Sequence, residues 1–230
     1  MPGVIRVGHK GADHVAPGNT IESFEAALEH GVDMIEFDIL RTRDGRLVLA
    51  HDYADAESRE CLTLDEGLDH FAGEAYSGVQ LDVDLKLPGY EREVVEGLRE
   101  RGLDQRSLVS TMYTESLERL GEVAPGLRRG WSVPRVRRNY LRSPFALPAY
   151  LIVRVMRARL PGQAAARIES GGCEALMANQ VLVSRRLVKA IHGAGGELYV
   201  WTVDDARRIE ALEALGVDGV ITNDPRLFSR

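Results

Sequence analysis

The chain has 230 residues, of which 44% are hydrophobic, and its formal net charge is −6 at pH 7. This composition suits one folded domain with a sizeable core and excludes an intrinsically disordered chain. A globally acidic chain is also unsuited to general nucleic-acid binding, so we expect no nucleic-acid partner. The two cysteines, Cys61 and Cys173, are too few for a disulfide framework and predict reduced thiols.

Strand and helix signals alternate along the chain. Strands are predicted at 4–9, 33–39, 79–86, 107–111, 129–133, 174–178, 197–203 and 218–222, with a further extended run at 47–50. Helices are predicted at 19–31, 64–71, 90–101, 114–122, 147–159, 184–194 and 205–215. Eight strands, most followed by a helix, predict a parallel eight-stranded (β/α)8 TIM barrel as one domain over residues 1–230. A doubly wound open sheet is the alternative, although the glycine-rich first turn typical of that fold is missing.

No signal-peptide core precedes the first predicted strand, which begins at residue 4. No apolar run approaches the roughly 20 residues that a membrane-spanning helix needs. We therefore expect a cytoplasmic protein.

Two carboxylates share one face of the predicted strand 33–39. Glu36 and Asp38 are two residues apart, and the two-residue period of a strand places both side chains on the same side. Buried neighbouring carboxylates repel each other unless a cation or a proton lies between them, and a hard divalent ion suits such oxygen ligands. The alternative is structural ion pairing with Arg41 or Arg43.

The predicted strand 79–86 has one apolar and one charged face. Leu81, Val83 and Leu85 alternate with Asp82, Asp84 and Lys86. Branched apolar side chains usually fill the interior of a TIM barrel. Charges in that interior therefore indicate a site near the carboxyl end of the strand. An exposed edge strand with a charged face is the alternative.

Eight short motifs follow one another along the chain. They are His9-Lys10-Gly11, Asn19-Thr20, Glu36-Phe37-Asp38, Thr42-Arg43-Asp44-Gly45, His51-Asp52, Asp84-Leu85-Lys86, Val200-Trp201-Thr202-Val203-Asp204 and the run 218–225. This series resembles the glycerophosphodiester phosphodiesterase family, whose signature is His-Arg-Gly, Glu-x-Asp, Thr-x-Asp-Gly and His-Asp. The resemblance spans nearly the whole chain and implies metal-dependent hydrolysis of glycerophosphodiesters to glycerol phosphate and an alcohol.

Hydrolysis of a phosphodiester needs a cation, a base and an acid, and residues at the predicted strand ends can supply all three. Glu36, Asp38 and Asp84 are oxygen ligands suited to one divalent cation, Mg²⁺ or Ca²⁺. His9 and His51 are the predicted acid–base pair, because histidine titrates near neutral pH. The family resemblance implies the same roles.

Two lysines and one tryptophan complete the predicted site. Lys10 and Lys86 offer fixed positive charges for the phosphate oxygens. The resemblance implies that Trp201 lines the pocket against the glycerol or alcohol moiety, with simple filling of the barrel as the alternative. Asp52 is predicted to orient the loop that carries His51.

Other polar residues are assigned structural roles. Surface or hydrogen-bonded positions are predicted for His14, His30, His70 and His192. Asp44-Gly45 is predicted to form a turn, and Asn179 either reaches the pocket or satisfies a loop backbone.

The chain departs from the usual family pattern at four positions. Lys10 stands where arginine is usual, Gly18 and Asp84 each stand where glutamate is usual, and Asn223 stands where aspartate is common. Lysine lacks the bidentate fork of arginine, and aspartate is one methylene shorter than glutamate. These differences concern how tightly phosphate is bound, which metal ion is preferred and how fast the substrate is turned over.

Two other functions compete with the leading hypothesis. Lysophospholipase D-like or sphingomyelinase D-like activity would keep the chemistry and act on lipid phosphodiesters. A non-catalytic phosphodiester-binding barrel would bind without turnover, although binding alone does not need the pair His9 and His51. A small phosphodiester is the predicted substrate, and the sequence indicates no particular oligomeric state.

The charge distribution singles out one segment. Between Arg128 and Arg159 there are nine arginines and no acidic residue. We expect residues 134–160 to form a basic and apolar lip beside the active site that makes weak contact with a membrane surface. The alternative is an ordinary barrel helix with a solvated basic face.

Overall fold

The structure is a computed structural model that describes residues 3–134 and 146–228. Its strands are β1 Ile5–His9, β2 Met34–Arg41, β3 Leu47–Leu49, β4 Gln80–Leu85, β5 Ser107–Thr111, β6 Arg128–Val133, β7 Ala175–Asn179, β8 Glu197–Trp201 and β9 Gly219–Thr222. Its helices are α1 Ile21–Glu29, α2 Tyr53–Ser58, α3 Leu64–Phe71, α4 Glu91–Glu100, α5 Thr114–Val123, α6 Ala146–Glu169, α7 Arg185–Gly193 and α8 Ala206–Leu215.

Eight parallel strands close into a barrel. The ladder runs β2-β4-β5-β6-β7-β8-β9-β1, and β1 also pairs with β2 to complete the circle. The short strand β3 lies outside the circle, antiparallel to the end of β2 across a turn at Gly45, whose φ is +91°. The predicted (β/α)8 TIM barrel is therefore confirmed, and the open doubly wound sheet is wrong.

The helices begin and end at residues with recognisable capping chemistry. Thr20 caps α1 by accepting a hydrogen bond from the Ser23 amide, and Thr63 forms a reciprocal capping box with Glu66 at the start of α3. Gly31 and Gly102 adopt positive φ angles of +67° and +66° shortly after α1 and α4. Glycine adopts this conformation at little cost, as the predicted helix ends require.

An apolar layer fills the barrel beneath a polar one. Val7, Met34 and Tyr199 belong to a buried cluster inside the barrel. Two residues further along their strands, the same interior face carries His9 and Glu36, because side-chain direction repeats every second residue. On β1 and β2 the interior polar side chains thus lie toward the carboxyl ends of the strands.

Two helices differ from the sequence prediction. The helix predicted near 147–159 continues to Glu169, through Pro161, so its predicted end was wrong. Leu160 and Ala164 are buried against the helical layer, and this packing outweighs the helix-breaking tendency of Pro161. Helix α2 was missed because none of its six side chains is buried, so it has no apolar periodicity.

The predicted lip at 134–160 is only partly within the described chain, since residues 135–145 lie outside the described residues. From residue 146 onward the segment belongs to α6. Within the described ranges, no helix combines the length and apolarity needed to cross a membrane.

Candidate active site

A cavity of about 140 Å³ lies at the carboxyl end of the barrel strands. Its wall combines charged, hydroxyl and apolar residues: His9, Glu36, His51, Asp82, Asp84, Lys86, Ser110, Met112, Ser132, Met177, Trp201, Thr202 and Ile221. This is the end of the barrel at which enzymes of this fold carry their active sites. A larger open groove of about 700 Å³ lies elsewhere, between β1 and α8, but it contains no histidine among its described lining residues, and Arg6 and Asp33 in its wall pair with each other.

Three carboxylates lie together beside this cavity, and two of them, Glu36 and Asp84, line it. One oxygen each from Glu36, Asp38 and Asp84 lies within 4.8 Å of the others. Asp38 and Asp84 are register partners on β2 and β4, which explains why residues far apart in sequence meet. All three are buried. The predicted acidic cluster is thus present, and its geometry suits a divalent cation bound through oxygen.

Lys86 lies between two of these carboxylates. Its ammonium forms ion pairs with both Asp38 and Asp84. Burial opposes both charges, but the mutual attraction raises the pKa of Lys86 well above its usual value and, with help from the two histidines, holds the pKa of Asp38 well below its usual range. The pair is therefore ionised at neutral pH.

Asn19 fixes Asp38 from the other side. The Asn19 side-chain amide donates to Asp38 Oδ2 at 2.9 Å, and the Asp38 backbone N–H donates to Asn19 Oδ1 at 3.0 Å. Asn19 is fully buried and adopts a left-handed φ of +59°, which asparagine tolerates better than most residues. The Asn19-Thr20 motif therefore supports the acidic cluster and also starts α1.

The cluster carries more negative charge than Lys86 can balance. Burial, followed by repulsion from Asp38, raises the pKa of Glu36 well above its usual value. Burial raises the pKa of Asp82 to about 8. Within the described chain, Asp84 Oδ1 is buried without a hydrogen-bond partner, whereas Asp38 Oδ1 forms its ion pair with the Lys86 ammonium. Crowded carboxylates with an unused oxygen fit a hard divalent cation.

Hydrogen bonds fix the orientation of the His9 ring. His9 Nδ1 lies 2.5 Å from Asn223 Oδ1, and the Asn223 amide group donates to Asp204 Oδ2 at 2.7 Å. Because the Asn223 nitrogen must donate to this carboxylate, its oxygen must accept, so Nδ1 of His9 carries the proton. The neutral ring then presents the lone pair of Nε2 toward Glu36, whose Oε2 is 3.8 Å away.

This orientation suits His9 to accept a proton. Burial lowers the pKa of His9, although Asp38 and Asn223 partly oppose that shift, so the ring is largely neutral at pH 7. Asp204 holds Asn223 through the backbone N–H as well, at 2.8 Å. In the sequence, Asn223 stands out only as a departure from the family pattern, and nothing in it marks Asp204 as a support.

His51 lines the cavity from its open rim. Its side chain is 54% exposed, and its Nδ1 lies 3.3 Å from Asp52 Oδ2. Asp52 Oδ1 caps α2 by accepting from the Asp55 amide at 2.9 Å, so Asp52 orders the loop as predicted. The His51 backbone N–H donates to Asp55 Oδ2 at 3.0 Å.

Arg59 fastens this turn to the barrel. Its guanidinium donates to both carboxylate oxygens of Asp55, at 2.8 and 3.1 Å, and to the backbone oxygen of Leu49 at 3.2 Å. Leu49 ends β3. We call this arrangement of Arg59, Asp55 and Leu49 the His51 clamp.

The Lys10 ammonium forms its ion pair with a residue outside the described lining of the cavity. This residue is Asp13, at 2.7 Å, and Lys10 is itself not among the described residues lining the cavity, so its contact with phosphate stays a prediction. Its backbone N–H donates to Glu36 Oε2 at 2.8 Å. A Cβ atom at Gly18 would lie 2.5 Å from Asp13 Oδ1. The Asp13 carboxylate therefore occupies the space that a side chain at position 18 would need.

Trp201 lines the cavity, and its indole N–H donates to the Met177 backbone oxygen at 2.9 Å. The ring is thereby fixed, with an apolar surface toward the cavity. Asn179 accepts from the Val181 amide at 3.1 Å, which matches the loop-backbone alternative.

The remaining predictions concern structural contacts. His70 and His192 are hydrogen-bonded, to Tyr76 at 2.9 Å and to Asp218 at 2.8 Å. Arg41 and Arg43 pair with Glu93 and Glu57. The alternative in which these arginines neutralise Glu36 and Asp38 is therefore wrong.

Comparison with known proteins agrees with this geometry. The family model described as the glycerophosphoryl diester phosphodiesterase family matches residues 9–66 and 79–227. A glycerophosphodiester phosphodiesterase of Caldanaerobacter subterraneus subsp. tengcongensis is 27% identical over 251 residues, covering 95% of this chain and 93% of the relative. One from Bacillus altitudinis is 24% identical, covering 94% of this chain and 93% of the relative.

Solved structures share the fold at low identity. A glycerophosphodiester phosphodiesterase from Parabacteroides distasonis has a TM-score of 0.74 and 18% identity, covering 99% of this chain and 98% of the other. An Oleispira antarctica phosphodiesterase, solved with the product sn-glycerol-3-phosphate, has a TM-score of 0.72 and 21% identity, covering 97% and 94%. With a family match over most of its length and the same barrel, the chain belongs to the glycerophosphoryl diester phosphodiesterase family.

Proposed function

We propose that the protein hydrolyses a glycerophosphodiester to glycerol phosphate and an alcohol, with His9 and His51 as the acid–base pair. The observation that carries this proposal is the meeting of both histidines and the acidic cluster at one small cavity. In the net reaction, water adds across the ester bond between phosphorus and the alcohol oxygen. The alcohol oxygen leaves with a proton, and the hydroxyl group remains on phosphorus.

The two histidines are suited to different steps. The unprotonated Nε2 of the buried His9 suits it to take a proton from the attacking oxygen. His51 lies at the exposed rim, where a leaving alcohol can depart, and we assign it the donation of a proton to that alcohol. This division of roles follows from the different surroundings of the two rings.

Glu36, Asp38 and Asp84 are proposed to hold one divalent cation, either Mg²⁺ or Ca²⁺. When bound, such a cation neutralises charge on the phosphate oxygens. Lys86 adds a fixed positive charge at the same place, and Trp201 offers an apolar surface for the carbon atoms of the substrate. The Lys10 ammonium pairs with Asp13, so its proposed contact with the phosphate oxygens is not part of this arrangement.

A small, water-soluble diester is the favoured substrate. The described residues enclose a cavity of about 140 Å³, below the roughly 300–1,000 Å³ of sites for drug-sized ligands. The product found with the Oleispira antarctica phosphodiesterase is a molecule of the size that this cavity suits. Lysophospholipase D-like or sphingomyelinase D-like activity would require most of the lipid to lie outside the cavity.

The weak membrane-surface contact through residues 134–160 stays a prediction, because residues 135–145 lie outside the described chain. The cytoplasmic location, the absence of a nucleic-acid partner and the single domain over residues 1–230 also stay predictions from the sequence.

Turnover of glycerophosphocholine with added Mg²⁺ or Ca²⁺ tests the proposal. We expect His9→Ala and His51→Ala each to lower kcat by about 10²–10⁴-fold, the usual contribution of acid–base catalysis. His192→Ala is the matched control, because His192 pairs with Asp218 away from the cavity. Near-normal turnover in either cavity variant, with His192→Ala also normal, removes that histidine from the mechanism. An inactive wild type supports the non-catalytic binding barrel.

A further inference from the structure

The Asp204 carboxylate lies behind the pair of His9 and Asn223 and accepts three hydrogen bonds. Its Oδ1 accepts from the Thr222 hydroxyl at 3.0 Å and from the Asn223 backbone N–H at 2.8 Å. Its Oδ2 accepts from the Asn223 side-chain amide at 2.7 Å. Asp204 follows β8 and Asn223 follows the neighbouring strand β9. Asp204 is not among the described residues lining the cavity, so its influence on the site passes through other side chains.

The contacts of Asp204 fix which way the Asn223 amide is turned. A backbone N–H only donates, so the atom of residue 204 that faces the Asn223 backbone must be an acceptor. The other oxygen faces the Asn223 side chain and also accepts, because a carboxylate has no donor. The amide therefore turns its nitrogen toward Asp204 and its oxygen toward His9 Nδ1, 2.5 Å away. The opposite orientation would bring two acceptor oxygens face to face.

The orientation of this amide determines the tautomer of the His9 ring. An amide oxygen cannot donate, so Nδ1 of His9 holds the proton and Nε2 keeps its lone pair. Nε2 is the ring atom that lies toward Glu36, and both residues line the cavity. A neutral ring with its proton on Nε2 could not accept another proton at that atom. The choice between the two neutral forms is therefore made outside the cavity.

We propose that Asp204 is a positioning residue that sets the tautomer of His9 through the side-chain amide of Asn223. The amide transmits the preference of the carboxylate without placing a negative charge directly beside the ring. The inference deepens the proposed function, because it rests on His9 as the group that accepts a proton. It also gives a physical account of the departure at position 223, where an aspartate would accept from Nδ1 directly.

Asp204→Asn tests this relay with almost no change of shape. The Asn223 backbone N–H still needs an oxygen opposite it, so the introduced NH₂ group must face the Asn223 side chain. The Asn223 amide then turns over and presents its own NH₂ group to His9. Nδ1 becomes an acceptor, and the proton of the neutral ring moves to Nε2. We expect kcat for glycerophosphocholine to fall about 100-fold or more and KM to stay within about threefold, because a general base is lost.

A double variant and a neighbouring residue provide the rescue and the control. In Asp204→Asn combined with Asn223→Asp, the introduced carboxylate accepts from His9 Nδ1 and from the introduced amide, so the wild-type tautomer returns. We expect this variant to recover at least about 10-fold of the lost kcat. Asp205→Asn is the matched control, because Asp205 caps α8 by accepting from the Arg208 amide at 2.8 Å. It should keep the wild-type tautomer and kcat.

Long-range ¹H–¹⁵N NMR of the histidine rings measures the tautomer directly, because protonated and unprotonated ring nitrogens have well-separated ¹⁵N chemical shifts. The spectra are recorded on the cation-free protein at mildly alkaline pH, and the His9 signals are identified by their absence in His9→Ala. We expect Nδ1–H in wild type, Nε2–H in Asp204→Asn and Nδ1–H again in the double variant.

The tautomers decide the inference independently of turnover. A proton on Nε2 in wild type or in the double variant, or on Nδ1 in Asp204→Asn, overturns it. If the tautomer changes as expected and kcat does not fall, the inference stands and the proposed role of His9 as base fails. Should Asp204→Asn fail to fold, wild type and the double variant decide: Nδ1–H in both supports the relay, and Nε2–H in either overturns it.

Discussion

The His51 clamp is expected to determine how accurately the exposed histidine is placed. Helix α2 begins two residues after His51 and none of its side chains is fully buried. Partly buried Ala56 packs against the cluster of Val48 and Ala50, so apolar packing contributes little to holding the turn in position. Arg59 instead links Asp55, which accepts from the His51 amide, to the backbone of Leu49. Replacing Arg59 with Lys keeps the positive charge but removes the fork that reaches both partners.

The size of the effect follows from the bonds lost. Hydrogen bonds to charged groups contribute about 1.5–3 kcal/mol each, and the ion pair here is about one-quarter exposed, with side-chain exposures of 24% and 28%, which weakens it. We expect Arg59→Lys to lower the free energy of local opening of the turn by about 1–2 kcal/mol. Because a misplacement of about 1 Å can cost about 100-fold in rate, kcat should fall about 10- to 100-fold. Global stability should change by less than about 1 kcal/mol, since α2 adds little to the core.

The assay is steady-state turnover of glycerophosphocholine together with hydrogen exchange at the His51 amide. Arg101→Lys is the matched control, because Arg101 also bridges two carboxylates, Asp65 and Asp69, but on α3 away from the cavity. We expect faster exchange at His51 and a lower kcat in Arg59→Lys only. A normal kcat in Arg59→Lys, combined with clearly faster exchange at the His51 amide, would refute the reasoning.

Three further predictions concern other contacts. Asn223→Asp places a carboxylate beside His9 Nδ1, which should raise the pKa of His9. The acidic limb of the kcat/KM profile should therefore move to higher pH, and an unshifted limb contradicts the assignment of His9 as the base. Lys86→Met leaves buried carboxylates without their ammonium and should destabilise the cation-free protein by about 3–5 kcal/mol, with Ca²⁺ recovering part of the loss in thermal unfolding; an unchanged Tm argues against the ion pairs. The hydrogen bonds from Arg6 lower the pKa of Asp33, so its stabilising effect is present above the unfolded-state pKa and is lost as the pH falls through the lower folded-state pKa. Denaturant unfolding should therefore show Asp33→Asn to be about 1 kcal/mol less stable at pH 7, after allowing for solvent screening of this half-exposed pair, and nearly equal to wild type in strong acid; an equal deficit at both pH values contradicts the linkage.

Much of the fold was accessible from local sequence patterns. The strands of a parallel barrel are short and regularly spaced, and the charged face of strand 79–86 indicated an interior site, which the burial of Asp82 and Asp84 confirms. Local patterns gave no signal for α2, because none of its side chains is fully buried and only partly buried Ala56 joins a small apolar cluster. They predicted the end of α6 too early, because Pro161 and Gly162 are local helix-breaking signals. The helix continues because Ala164 is buried by tertiary packing, which local patterns do not show.

The supports of the candidate site were harder to predict than the members of its acidic cluster. His9 and Asn223 are 214 positions apart, and they meet because β9 pairs with β1 when the barrel closes. The sequence also identified Gly18 as unusual without a reason. Only the folded loop brings the Asp13 carboxylate into the space beside Gly18 and against the Lys10 ammonium.

The most direct test of the central claim is phosphorus NMR of glycerophosphocholine incubated with the purified protein, with Mg²⁺ or Ca²⁺ and then with excess chelator. We predict conversion to glycerol phosphate with release of choline, arrested by the chelator and restored when the cation is added back. No conversion with either cation, formation of phosphocholine instead of glycerol phosphate, or a rate unaffected by the chelator would contradict the account.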